Sequence, residues 1–503
     1  MPALALAPLL LLAGLGPTAQ AAGFYYSDSG TRAMARGGAF VAGADDLSAQ
    51  YYNPAALMNL DRPQVYVNYT MFHQSVQFTR EDLDETGAVT ETWPTVKNGA
   101  APMQIPAFGV GHHFGLPNTY FAFGMWTPMA PSLSFPSDGS THYTLKDSLT
   151  WQIWGGPSVA QRIGWLSVGV GVHWTLIRAE RSLDLMVCQD EAPFDNVIGT
   201  CPEDASPEEN DLHAQLKMYD PASLAGNFGV LAEPVPWLSI GASVLPPLDV
   251  KGKGSLEVQL AEDHWLVEGD GDGNANLISS EPAIDDDVTV LLNMPWIVRM
   301  GVAVRPVPEV EVEAAAIYQR WSSAKEIRVT DVDLVLESTG SPILPDDQTI
   351  TDDVVLPQGY QDAWSLRLGG DADVADFLTV RAGGFWESSA IPTDVLTVTL
   401  VDGPKWGVAG GLSARIKDRV SIDAGFIQTF IAEQHIQNSR SYRIEVPVDL
   451  TAVGFNGAPL EIKNGQAVGN GLMKSSVSTG SVGVTFLWGK SQAEMASNQA
   501  ASN

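Results

Sequence analysis

The chain has 503 residues, with 59 acidic against 28 basic side chains and a formal net charge of −31. That balance excludes a nucleic-acid binder, because nothing supplies the basic stripe that phosphate neutralisation requires. The length admits several ordinary domains or one very large barrel, and no apolar run after the leader reaches the roughly 18 residues of a membrane helix.

Residues 1–22 read as a secretory signal: Leu9 to Leu15 forms the apolar region and Ala19-Gln20-Ala21 the small-x-small cleavage pattern, although the first residues lack Lys or Arg. Residues 23–62 come next. Within them Ala35 to Leu57, ARGGAFVAGADDLSAQYYNPAAL, is rich in small residues, which let backbones approach closely. Asn53 before Pro54 is biased out of the helical region, and Pro54-Ala55 suits a first helical turn. The stretch reads as a plug of short helical turns.

From Gln64 the chain alternates. Val65, Val67, Tyr69 and Met71 face one way and Tyr66, Asn68 and Thr70 the other, the pattern of a barrel strand that is apolar toward lipid and polar toward the lumen. Similar runs follow at about 105–114, 119–127, 149–161, 165–184, 222–233, 237–258, 294–306, 309–328, 361–372, 377–388, 405–416, 419–437 and 475–488. With the first they make fourteen, an even number as bacterial barrels require. Trp165-Leu166-Ser167-Val168-Gly169 is echoed by Trp237-Leu238-Ser239-Ile240-Gly241, by Phe377-Leu378-Thr379-Val380-Arg381 and by Arg419-Val420-Ser421-Ile422-Asp423. Each repeat follows a tight turn, as expected of one rim and its aromatic girdle. The fold expected is a 14-stranded antiparallel transmembrane β-barrel, residues 63–489, with a helical hatch in its lumen and a polar tail at 490–503.

The long segments between strands, about 80–104, 185–221, 259–293, 329–360 and 438–474, carry most of the acidic residues and would point away from the cell. Cys188 and Cys201 share one of them and would pair in an oxidising envelope. Asp270, Asp272 and Asn274, interleaved with glycines, are a weak calcium candidate; a solvated surface is the simpler reading. Strand parity turns Arg299, Arg367, Arg381 and Arg415 toward the lumen together with Glu311, Glu313 and Asp423. Lumen salt bridges between strands are the default for these charges, and a clamp for a ligand carboxylate is the alternative. In the third strand Tyr120 to Thr127 runs into Pro128 and Pro131, which cannot donate to a ladder, so pairing with the next strand should fail there. The same prolines could simply end the strand.

Ala35-Arg36-Gly37, Ala44-Asp45-Asp46-Leu47-Ser48 and Asn53-Pro54-Ala55 occur in the order of the hatch elements of the FadL/TodX family, which this chain resembles. The resemblance implies an outer-membrane transporter for long-chain fatty acids or other hydrophobic compounds. It also implies that ligand leaves sideways at a kinked third strand, with the Asn-Pro-Ala element near the kink. Arg36, Asp45, Asp46, Asn53, Pro54 and Ala55 would then serve the hatch. Phe24, Tyr25, Tyr26, Met125, Trp126 and Met129 are candidates for an apolar slot. The implied setting is a monomer among outer-membrane lipid and lipopolysaccharide, with a small hydrophobic ligand and no cofactor. An adhesin barrel with a sealed wall is the competing function, and a barrel enzyme with a Ser–His pair at its rim a weaker one; no Gly-x-Ser-x-Gly motif occurs.

Overall fold

The computed structural model describes residues 28–189, 211–260, 266–268, 274–276, 281–337, 347–350, 353–417, 419–448, 463–489 and 491. The leader, Phe24 to Tyr26, the Cys188–Cys201 pairing, the calcium candidate and nearly all of the tail fall outside the residues or side chains described.

Fourteen strands form the wall. They are β1 Gln64–Leu83, β2 Met103–His112, β3 Thr119–Met129, β4 Asp147–Ile163, β5 Leu166–Gln189, β6 Leu212–Val235 and β7 Leu238–Leu245. The second half is β8 Trp296–Val307, β9 Val310–Arg320, β10 Ala363–Ala375, β11 Leu378–Glu387, β12 Lys405–Ile416, β13 Val420–Ile436 and β14 Gly471–Leu487. Each pairs antiparallel with its sequence neighbour, and β1 closes on β14 from Gln64↔Leu487 to Arg80↔Gly471. Closure satisfies the backbone without an edge, the condition for crossing lipid with strands.

Alternation sorts the two faces. Tyr69, Met71, Phe123, Met300, Leu366, Trp406 and Phe426 are exposed on the outer surface, while Tyr66, Arg299, Arg367 and Asp423 are buried on the inner one. At one end short turns join β2–β3, β4–β5, β6–β7, β8–β9, β10–β11 and β12–β13. Trp165, Trp237 and Phe377 stand exposed beside them, where aromatic rings favour the membrane boundary.

Three expected strands differ in extent. The run 237–258 is two strands: β7 stops before Pro246-Pro247, and Leu248–Leu260 turns away to pair with Ala283–Met294 and with the outer half of β6. Proline cannot continue the ladder, so the chain changes direction there. The run 309–328 likewise breaks at a 3₁₀ turn, Trp321–Ser323, before Glu326–Thr330. The sixth strand starts at Leu212, ten residues before its expected start. The long-loop end is further knitted by Tyr442–Val448, which lies parallel to Met186–Gln189.

Candidate functional site

The hatch begins in the described residues at Asp28 and contains α1 Thr31–Ala35, α2 Ala49–Tyr52 and a 3₁₀ helix Pro54–Asn59. These helices are too short to hold themselves together, so the hatch is held by the wall. Asn53 is extended, with φ −154°; its Oδ1 accepts from the Ala55 N–H at 3.1 Å. Its amide donates to the carbonyl of Val41 at 2.9 Å and to that of Val230 on β6 at 3.0 Å. Asp46 accepts from the Ser48 N–H at 2.8 Å at the start of α2, and burial pushes its carboxyl up to about 6.

Wall charges that the sequence offered for strand-to-strand pairing are mostly taken by the hatch. Glu313 on β9 accepts from the N–H groups of Val41, Ala42 and Gly43 at 2.6, 3.1 and 2.8 Å. Arg36 donates to Glu311 at 2.9 Å and Asp371 at 2.8 Å and reaches Glu313 at 3.4 Å. Arg32 bridges Asp45 at 3.0 Å and Asp423 at 3.2 Å, and Arg381 reaches Asp45 at 3.2 Å. Removing one partner of a buried pair strands the other charge, at about 3–5 kcal/mol. Arg36→Met should therefore loosen the hatch, seen as new protease cleavage between residues 28 and 62 while the barrel keeps its heat-modifiable migration on gels. Protection equal to wild type would show that these pairs do not hold the plug.

The wall is interrupted between β2 and β3. Their last pair is Phe108↔Met125, whereas β2 continues to Met103 along β1, and β3 follows β4 through a bulge between Trp126 and Met129. Pro106 and Pro128 flank the break, and neither has the N–H that a ladder bond would need. The break has a lintel toward the long loops. There Asn98 donates to the Gln74 carbonyl at 2.7 Å and accepts from the Ser134 N–H at 2.9 Å, while Gly99 N–H donates to the Ser134 carbonyl at 2.8 Å. The result is a window, not an open seam.

Behind the window lies a cavity whose empty space, open mouth included, is about 850 Å³. Ile105, Ala107 and Thr127 line it at the window, and Met34, Phe72 and Ile427 make its middle apolar. Its far side is polar. Arg367 donates to Asp28 at 2.6 Å and lies 3.6 Å from Glu387. Lys405 lies 3.2 Å from Glu387 and 2.5 Å from Asp402. Two cations thus meet three carboxylates.

A family model described as outer membrane protein transport protein (OMPP1/FadL/TodX) matches residues 12–457. The chain belongs to the FadL/TodX family. No curated protein sequence matches it. Among solved structures, a Pseudomonas aeruginosa FadL homologue is similar at TM-score 0.68 and 19% identity, over 93% of this chain and all of that one. The Pseudomonas putida toluene transporter TodX is similar at 0.58 and 15%, over 91% and 97%. The Ralstonia pickettii toluene transporter TbuX gives 0.56 and 14%, over 92% and 99%. Family membership and the closed barrel place this protein in the Gram-negative outer membrane as a transport protein.

Within this FadL/TodX barrel the sequence candidates disperse. Arg36, Asp45, Asp46, Asn53, Pro54 and Ala55 all lie in the seated hatch. Asn53 and Pro54, however, rest on Gly169 and Gly229 of β5 and β6 rather than at the third strand. The hatch residues facing the window strands are Leu47, against Gly109 and Gly111, and Gln50, against Gly124. Met125 points outward by register, so it is no slot residue; Trp126 stacks on Tyr66 and donates to Gln50, and Met129 is buried opposite Gln152. The prolines interrupt pairing with the preceding strand, not the next one, apart from the bulge. Of the four arginines only Arg367 lines the cavity; Arg381 anchors the hatch, Arg415 sits exposed at the short-turn rim, and Arg299 is buried elsewhere in the lumen. Asp28, Glu387, Asp402 and Lys405 carry no motif in the sequence: Asp28 meets Arg367 from 339 positions away, and Glu387 and Lys405 meet only once β11 and β12 pair.

Proposed function

We propose that this protein passes neutral hydrophobic compounds inward without energy input. They are held in the cavity between hatch and wall and released sideways into the bilayer through the window between β2 and β3. The observation that carries this reading is that one largely apolar cavity is lined by both flanks of the break between β2 and β3. Each buried methylene contributes about 0.8 kcal/mol, so shape and grease suffice for binding. An adhesin has no use for such an opening.

Charge favours a neutral cargo over a fatty-acid anion. Arg367 and Lys405 are already matched by Asp28, Glu387 and Asp402, so an incoming carboxylate would compete with three resident ones. The chain-wide charge of −31 repels anions as well. In an outer-membrane strain without its own transporter, expression should raise toluene uptake several-fold and labelled oleate uptake much less. Oleate taken up in preference would overturn the neutral assignment, and no gain for either compound would overturn transport by this route.

A further inference from the structure

A second pocket opens on the outside of the wall, at the long-loop end of the break. It offers about 300 Å³ of space, against the roughly 150 Å³ that encloses a benzene ring. Ala100 to Met103 form one flank. The floor is a row of outward positions, Ser134, Asp147, Ser182 and Gln215, each opposite the next across Ser132–Ser134, β4, β5 and β6. Leu149 and Glu180 belong to the row below. The side chains of Ser134, Asp147, Ser182 and Gln215 have no hydrogen-bond partner among the described residues.

Height decides what surrounds this pocket. The outward residues of β5 are Leu166, Val168, Val170, Val172, Trp174 and Leu176, apolar without a break over ten steps, or about 34 Å of strand. At a barrel tilt of about 45° that rises about 24 Å, which matches the apolar band of about 25 Å on an outer-membrane barrel. Charge begins at the next outward position, Arg178, and Glu180 and Ser182 of the pocket follow it. The pocket therefore stands just above the acyl chains, among the head groups of the outer leaflet.

Its chemistry suits a sugar. Hydroxyls, an amide and a carboxylate supply donors and acceptors together, and Pro102 and Leu149 give an apolar edge for the C–H face of a ring. A phosphate is disfavoured, because Asp147 and Glu180 repel it and the cations are engaged. Arg181 donates to the Thr144 carbonyl at 2.6 Å and the Thr399 hydroxyl at 3.0 Å, and Arg178 pairs with Glu180. An acyl chain would bury the polar floor unpaired.

We propose that this pocket binds a sugar ring of lipopolysaccharide, the glycolipid of the leaflet it faces. Ser134, Ser182 and Gln215 bond the ring hydroxyls, Asp147 accepts a charge-assisted bond from one of them, and the acyl chains descend along the apolar face of β4 and β5. Met103 lines the pocket and also begins the stretch of β2 that has no β3 partner. The bound head thus lies beside the outer mouth of the window.

The test is native mass spectrometry of the full-length protein in nonionic detergent, titrated with short-core lipopolysaccharide. One molecule should be retained per chain, and Ser182→Trp, which fills the pocket, should weaken retention at least about tenfold through the loss of two or more hydrogen bonds. Asp147→Leu, at an exposed position, should weaken it several-fold, whereas Ala432→Trp, exposed on β13, should leave it unchanged. Heat-modifiable migration shows that the variants fold. Dephosphorylated lipopolysaccharide should bind as well as the intact form, and high salt, which screens exposed charges, should not release it. Absent retention, retention unchanged in Ser182→Trp and Asp147→Leu, or release by dephosphorylation or salt would overturn the sugar site. Equal retention of phosphatidylethanolamine, which carries no sugar, would overturn it as well. The readout is lipid retention and not uptake, so its failure leaves the transport reading standing, and the reverse also holds.

Discussion

Leucine at both Gly369 and Gly383 is expected to expel the hatch and turn a plugged barrel into a conducting pore. The two glycines face each other across β10 and β11, and the hatch backbone at Arg36 presses on both. A Cβ built at Gly369 would stand 2.1 Å from the Arg36 carbonyl oxygen, and one at Gly383 would stand 2.2 Å from it. Backbone cannot swing aside as a flexible side chain can, and the wall is bonded on both sides at this height. Overpacking costs about 1–3 kcal/mol per site, so the pair disfavours docking by about 2–6 kcal/mol and leaves the plug mostly unseated. Gly410→Ala is the control, because its Cβ meets nothing nearer than 3.7 Å. Planar-bilayer conductance should rise steeply in the double variant and stay at the wild-type level in the control. A silent double variant with its hatch still protected from protease would refute close packing as the seal.

The same close approach recurs around the barrel. Gly229 lies against Asn53, Gly241 against Val41, Gly411 against Ala35 and Gly483 against Thr31. This belt of inward glycines was present in the sequence as one small residue near the middle of strand after strand. Periodicity does not reveal it, since alternation records polarity and a glycine simply weakens the pattern. The parity of the wall was readable for the opposite reason: Trp296, Val298, Met300 and Val302 must face lipid, which leaves Arg299 inside. What parity cannot supply is the partner of an inward charge. Parity points Glu311 and Glu313 at neighbouring strands; Glu311 does meet Arg305 of β8 at 2.7 Å but also takes Arg36 of the hatch, and Glu313 goes to Arg36 and to three hatch N–H groups. Likewise a proline forbids a ladder bond but does not say on which side, so the prolines marked the break near β3 while leaving its orientation open.

These contacts divide the hatch into parts with different freedom. Thr31 to Gly43 is tied to the wall through Arg32, Arg36 and the Glu313 carboxylate, and Asn53 ties the segment before the 3₁₀ helix to β6. The segment facing the window, Leu47 to Gln50, is anchored to the wall only through Gln50 in the bonds described: its side chain donates to the Gly156 carbonyl at 2.7 Å and receives the Trp126 indole N–H at 3.3 Å, and its main-chain carbonyl accepts from the Asn227 amide at 3.0 Å. Movement at the window is thus compatible with a plug that stays in place, and a ligand can leave sideways while the aqueous path remains shut.

Closing the window should abolish uptake by a route that can be reopened. Ala107 lines both the cavity and the break, and Met103 to Ala107 leaves about 17 Å of β2 without a β3 partner at 3.3–3.4 Å per residue. In a Cys188→Ser, Cys201→Ser background, Ala107→Cys carrying a bulky disulfide-linked label should cut toluene uptake at least about tenfold, a barrier of about 1.4 kcal/mol. Reductant should restore it. The same label on Thr127→Cys, across the break, should act alike, whereas one on an outward residue of β13 such as Phe426 should leave uptake unchanged. Uptake that persists with both flanks blocked would mean that compounds pass the hatch instead of the wall. In that case the double glycine variant, with its plug expelled, should carry toluene faster than wild type, whereas lateral exit predicts no such gain because the window is already open.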